Sequence, residues 1–152
     1  MSVKLAERAV ACPGWRCMDG MLDIVTKARV QEIDANGTAW TAGHPCEVYA
    51  ISRFLPDLDD PATLGCFELA LLPEALGFEV HARPTHSMVE SEPYQDEHGN
   101  VTMEFSYPVR WFVYRCEPGL VMYPIGDGGT TRAEALVAAL EAAQVVGDRR
   151  PS

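Results

Sequence analysis

Lysine is nearly absent from this chain: Lys4 and Lys27 are the only two, against ten arginines and 22 acidic residues. With no lysine after Lys27, the Gly-Lys-Ser/Thr step of a phosphate-binding loop cannot be built, which excludes nucleotide hydrolysis by that route. Long apolar runs are missing too. None approaches the roughly 18 residues needed to span a bilayer. Lys4, Glu7 and Arg8 fall where a signal peptide would carry its apolar core, so the expected location is the cytosol. Clustered bases are lacking as well: a net charge of −10 and a pI near 4.7 argue against direct nucleic-acid or anionic membrane binding. Cysteine is odd in number and widely spaced (12, 17, 46, 66 and 116), unlike a secreted disulfide framework. Neither G-x-S-x-G nor H-E-x-x-H occurs, and nothing local marks a nucleophile. No catalytic residue is assigned, no cofactor is expected, and an enzyme is the least supported class.

What is present is an ordinary apolar content, 47% of 152 residues, enough for one folded domain. A single domain is expected over residues 1–146, with 147–152 as a flexible tail. Each half of the chain carries the same acidic excess, so there is neither an acidic tail nor a basic arm.

A short helix is expected over 3–11, with Leu5, Ala9 and Val10 on one side. Residues 28–34 alternate weakly as a strand. Asn36-Gly37 is the strongest hairpin signal, returning along 38–41, with 46–51 as a third strand. Asp60 followed by Pro61 opens a helix over about 61–72, striped by Leu64, Phe67 and Leu71 with Cys66 and Ala70. Pro73 should interrupt it and Gly77 stop any continuation. The second half reads as β. Phe78, Val80 and Ala82 face inward, 86–92 is a strand, and 93–100 is a polar loop. Val101, Met103, Phe105 and Tyr107 then share one face, with Thr102, Glu104 and Ser106 outside. Residues 109–114 read as a central strand and 120–123 as a last short one. Thr131-Arg132-Ala133-Glu134 is a capping box opening a helix over about 131–144. Its stripe is Ala133, Leu136, Val137, Leu140 and Ala143, opposite Glu134 and Glu141. The fold class is α+β, an antiparallel sheet packed against two helices.

Between Arg83 and Arg110 lie 26 residues without a single Lys or Arg. They hold Glu90, Glu92, Asp96, Glu97 and Glu104, with Tyr94 interleaved. A carboxylate-studded hairpin with an aromatic anchor imitates the spacing of phosphates and suits a basic groove on another protein. The plainer alternative is a solvated hairpin whose charges prevent edge-to-edge sheet pairing. His86 and His98, with Glu90, offer a weaker metal reading across the same hairpin. Cys12-x₄-Cys17 with His44 and Cys46 does not match a standard zinc spacing, so buried or free thiols are the default and no metal is assigned. Cys66 and Cys116 read as small buried hydrophobes. Asp57, Asp59 and Asp60, bracketed by Pro56 and Pro61, read as a helix entry. Gly126-Asp127-Gly128-Gly129-Thr130-Thr131 opens the last helix, where backbone N–H groups can bind an anion, with Gly128, Gly129, Thr130 and Thr131 as the ligand-binding candidates; the alternative is a flexible loop ending in a cap. Trp15, Trp40 and Trp111 read as core or sheet-face residues.

The segment Leu55-Pro56-Asp57-Leu58-Asp59-Asp60-Pro61-Ala62-Thr63-Leu64-Gly65-Cys66 resembles a stretch of small uncharacterised proteins of tailed phages and prophages from high-GC bacteria. The turn at 15–22 and the closing helix at 133–143 are similar in kind. That group brings no established activity, so the resemblance implies origin alone: a phage-borne accessory or virion-associated protein acting inside a bacterium. Three functional readings follow. One is a non-enzymatic accessory protein that binds a host protein, in its specific form an anti-defence inhibitor using the acidic hairpin. Another is a virion structural component. The last is a binder of a small anionic ligand, such as a nucleotide, at the Gly126–Thr131 helix start.

Overall fold

In the computed structural model, which describes residues 3–35, 39–41, 48–49, 54–86, 89–116 and 123–148, short helices and an antiparallel sheet enclose one apolar helix. Helix α1 (Val3–Val10) buries Leu5, Ala6 and Ala9 on one face; Val10, expected there, is half-buried. Strands β1 (Val30–Ile33), β2 (Ala39–Thr41) and β3 (Val48–Tyr49) form the expected antiparallel meander in that order. Ile33 faces Ala39 and Val30 faces Thr41, so Gln31 is an extra residue that bulges β1. Asn36 and Gly37, and most of the third expected strand, lie outside the described residues.

Helix α2 (Pro61–Cys66) begins as its sequence requires: Asp60 is extended, its carboxylate accepts the Thr63 N–H, and Pro61 opens the first turn. The expected break at Pro73 does not occur. A π-helical turn, Phe67–Leu71, joins α2 to α3 (Leu72–Leu76), with the Leu72 N–H reaching Phe67 O. Proline inside an ordinary helix lacks a donor and strikes the carbonyl four residues back. The wider turn places Pro73 in the first turn of α3, where a missing N–H costs nothing. Gly77, at φ +83°, ends the helix as expected.

The chain then makes one long hairpin. Its outbound side is β4 (Val80–His86), β5 (Val89–Glu90) and β6 (Tyr94–Gln95); its return side is β7 (Val101–Thr102), β8 (Phe105–Ser106) and β9 (Val109–Arg115). Strand β10 (Pro124–Gly129) completes a sheet of order β10-β9-β4. This corrects one expectation: residues 126–129 are an edge strand and not a loop. Residues 120–122 of the last expected short strand lie outside the described residues. Gly128 (φ +70°) would place a Cβ 2.5 Å from Trp111 O, and Gly126 (φ +78°) one 2.7 Å from Ala138 O. Glycine is therefore what lets β10 lie close to both β9 and the helix above it.

That helix, α4 (Arg132–Asp148), runs past its expected end near residue 144. Its burial is also broader than one stripe. Ala135 and Ala139 are as buried as Leu136, Val137 and Leu140, because α4 packs on β9 and β10 on one side and on α1 and α3 on the other. The core around it contains Met21, Phe54, Leu58, Phe67, Leu72 and Val113. Trp15 stacks on Phe54 at 6.4 Å between ring centroids, which fits its expected core role. Among the described residues no helix is long and apolar enough to cross a membrane.

Candidate functional site

Acidic side chains gather in two places, and the fold uses them differently. At the entry to α2, Asp57 Oδ2 accepts from Lys27 Nζ at 2.6 Å. Asp60 takes a bidentate pair from Arg29 at 2.9 and 3.0 Å while also capping α2. The Arg29 guanidinium, helped by the cap bonds from Thr63, holds the Asp60 carboxyl down at about 2. Asp23, fully buried, accepts from the N–H groups of Thr26 and Leu55. These bonds latch the 20–30 loop to the 54–63 segment. The helix-entry reading of Asp57 and Asp60 is the one the contacts support.

The second acidic stretch is the distal hairpin. The register of β4–β9, with His86 opposite Val109, carries over unchanged to β5–β8, with Glu90 opposite Phe105. Beyond Glu90 the outbound strand holds one residue more than the return strand before Tyr94 meets Thr102, a bulge that increases local twist. The turn is fixed by Asp96. Its Oδ1 accepts from the His98 and Asn100 N–H groups, and its carbonyl accepts from Gly99, which sits at φ +78°. This is the three-residue hairpin loop that needs a left-handed glycine.

Nothing covers this arm among the described residues: from Val89 to Val109 every residue is exposed except Asp96 and Thr102, which are half-buried. Here the sequence reading of Val101, Met103, Phe105 and Tyr107 as an inward face is corrected. They alternate in phase with Trp111 and Val113, so they lie on the face that buries Val113 beside α4. But the helical layer stops short of them, leaving Val101 71%, Phe105 51% and Tyr107 63% exposed. The period of two gave the face correctly; it carries no information about where the opposing layer ends.

The six residues assigned to partner binding thus share one arm but not one role. Tyr94 Oη donates to Glu104 Oε1 at 2.8 Å, which raises the tyrosine pKa. Asp96 builds the turn. The carboxylates of Glu90, Glu92 and Glu97 make no ion pair or hydrogen bond among the described residues, and no cation lies nearer along the arm than Arg83 and Arg110. The apolar stripe Val101–Val109 was missed as a candidate because it looked like core.

At the start of α4, Thr131 Oγ1 accepts the Glu134 N–H, and Glu134 Oε2 accepts from both the N–H and the hydroxyl of Thr130. Those bonds lower the Glu134 pKa and fill the anion position with the chain's own carboxylate. Gly128 and Gly129 sit in β10, where a Cβ on Gly129 would stand 2.3 Å from Glu134 Cβ. A cleft of about 380 Å³ beside this turn is lined by Leu5, Leu58, Leu64 and Ala133; its one base, Arg132, is bound to Glu68. His86 and His98 stand at the base and the tip of the arm, separated by both short ladders. Cys12 and Cys17 are buried, His44 and Cys46 lie outside the described residues, and no group of three potential metal ligands occurs among the described residues. Cys66 is half-buried and Cys116 exposed, so the expectation of two buried thiols is corrected. Trp40 is exposed and donates to Asp34 at 3.1 Å. No family model matches the chain, and neither a curated protein nor a solved structure matches it.

Proposed function

We propose that this chain is a non-enzymatic protein-binding module, an accessory protein of phage or prophage origin that acts in the bacterial cytosol. Its arm, residues 89–106, docks on a host protein, and in the specific form of the reading it inhibits a defence protein. One observation carries this: an exposed hairpin whose apolar face continues the face of the core sheet while its carboxylates at Glu90, Glu92 and Glu97 meet no base among the described residues. Isolated exposed side chains need no explanation, but a contiguous apolar stripe edged by charge of one sign is the texture of an interaction surface. Charge then selects the partner. A second copy of this acidic chain would bring carboxylate against carboxylate, whereas an apolar groove rimmed with Lys and Arg complements both features. The anionic-ligand reading has less support, because Glu134 already occupies the first turn of α4.

Affinity capture from host lysate tests the reading, with the triple variant Glu90→Lys, Glu92→Lys, Glu97→Lys beside the unaltered chain. These three leave the Asp96 turn and the Tyr94–Glu104 bond intact. The expected result is a basic protein held by the unaltered chain, released by raised salt and not held by the variant. Equal retention by both would remove the arm from the interface. Presence of the chain in purified virions at stoichiometric copy number would instead favour a structural role.

A further inference from the structure

At the end of the β4–β9 ladder away from the arm, the fold brings together two residues that the sequence keeps 35 positions apart. His81 Nδ1 lies 2.9 Å from Cys116 Sγ. The Cys116 backbone is pinned by its N–H bond to Glu79 O at 2.9 Å. The His81 ring rests beside Tyr114, 6.1 Å between centroids, and its Nε2 is buried without a partner. The imidazole therefore directs its hydrogen bonding, among the described residues, to the sulfur. Cys116 is exposed. A thiol within reach of an imidazole nitrogen and open to solvent is the arrangement that activates a cysteine nucleophile.

We propose that Cys116, with His81 as its base, is a site of reversible thiol modification by low-molecular-weight disulfides. His81 Nδ1 takes the thiol proton, and the Cys116 sulfur attacks one sulfur of the disulfide. A new S–S bond forms as the old one breaks, and the departing thiolate recovers the proton as a free thiol. Cys116 is oxidised to a mixed disulfide and half of the small disulfide is reduced, with no further oxidant required. The remaining described thiols stand in contrast. Cys12 and Cys17 are buried, and Cys66 is half-buried with its Sγ 3.7 Å from Asp19 O. Burial pushes Cys17 up to about 12 and raises Cys12 and Cys66 as well.

The experiment treats the full chain with glutathione disulfide at pH 7 and follows each cysteine by peptide mass mapping. In the folded chain Cys116 should acquire glutathione about threefold or more faster than the same residue in the urea-unfolded chain, since only the fold holds His81 Nδ1 2.9 Å from the sulfur, placed to take the thiol proton as the sulfur attacks. His81→Gln should abolish that advantage while leaving the circular dichroism spectrum and the slow reaction of Cys12 and Cys17 unchanged. A folded-chain rate at or below the unfolded-chain rate overturns the proposal, as does a folded His81→Gln variant that reacts as fast as the unaltered chain. Should His81→Gln unfold, the comparison of folded and unfolded unaltered chain still decides.

Discussion

Asp57 and Asp60, at the entry of α2, are held by Lys27 and Arg29, whereas Glu90, Glu92 and Glu97 on the arm meet no base among the described residues. Both stretches look alike in composition: a handful of carboxylates near a turn, with proline beside them. What separates them is distance along the chain to a cation that folding can bring close. Lys27 and Arg29 lie some thirty positions upstream of their partners and are carried to them by the loop at 20–30. Among the described residues no such cation reaches the arm. Acidity that the fold neutralises stabilises the fold; acidity that it leaves open is available to something else.

The contrast can be broken at its stronger end first. Asp60→Ala removes a bidentate ion pair and a helix cap together, and should lower the free energy of unfolding by about 3 kcal/mol in a urea titration. Loss below about 1 kcal/mol would mean the clasp is incidental. Acid should act through the same group. The folded-state pKa of Asp60 is depressed to about 2, so the stability it contributes is fully present above the ordinary carboxylate value and is lost as pH falls from about 4 towards 2. The carboxylate is only 11% exposed, which puts that loss at about 2 kcal/mol. Asp60→Asn, which keeps a capping side chain, should flatten this part of the pH profile.

Glu68 offers an intermediate case. Its Oε1 accepts the Ala82 N–H at 2.7 Å on the open edge of β4, and its Oε2 pairs with Arg132. Glu68→Ala leaves both donors unsatisfied and should cost about 2 kcal/mol. At the weak end, Phe105→Ser and Tyr107→Ser should each change stability by less than about 0.5 kcal/mol, while Val113→Ala, on the same face but under α4, should cost about 2 kcal/mol. Equal losses at Phe105 and Val113 would show that the arm is part of the core after all.

How far the sequence reached follows the same division. The cap at Asp60, the stop at Gly77 and the start of α4 were legible because each depends on a few adjacent residues. The face carrying Val101, Phe105 and Tyr107 was legible as a face, but its exposure depends on where α1, α3 and α4 end in space. Pro73 misled because the π-helical turn that accommodates it has no local signature. That the glycines at 126, 128 and 129 are contact points for β9 and α4 was not legible, because it depends on elements far from them in the chain. The His81–Cys116 pair could be found only after the β4–β9 register was known.

The most direct test of the division joins the two ends in one variant. The protein captured by the unaltered chain is titrated calorimetrically with Glu90→Lys, Glu92→Lys, Glu97→Lys, and the variant's urea midpoint is measured alongside. The account predicts affinity reduced about 100-fold, as expected for reversing several rim charges, with the midpoint unchanged. Unaltered affinity, or affinity and stability falling together, would contradict it.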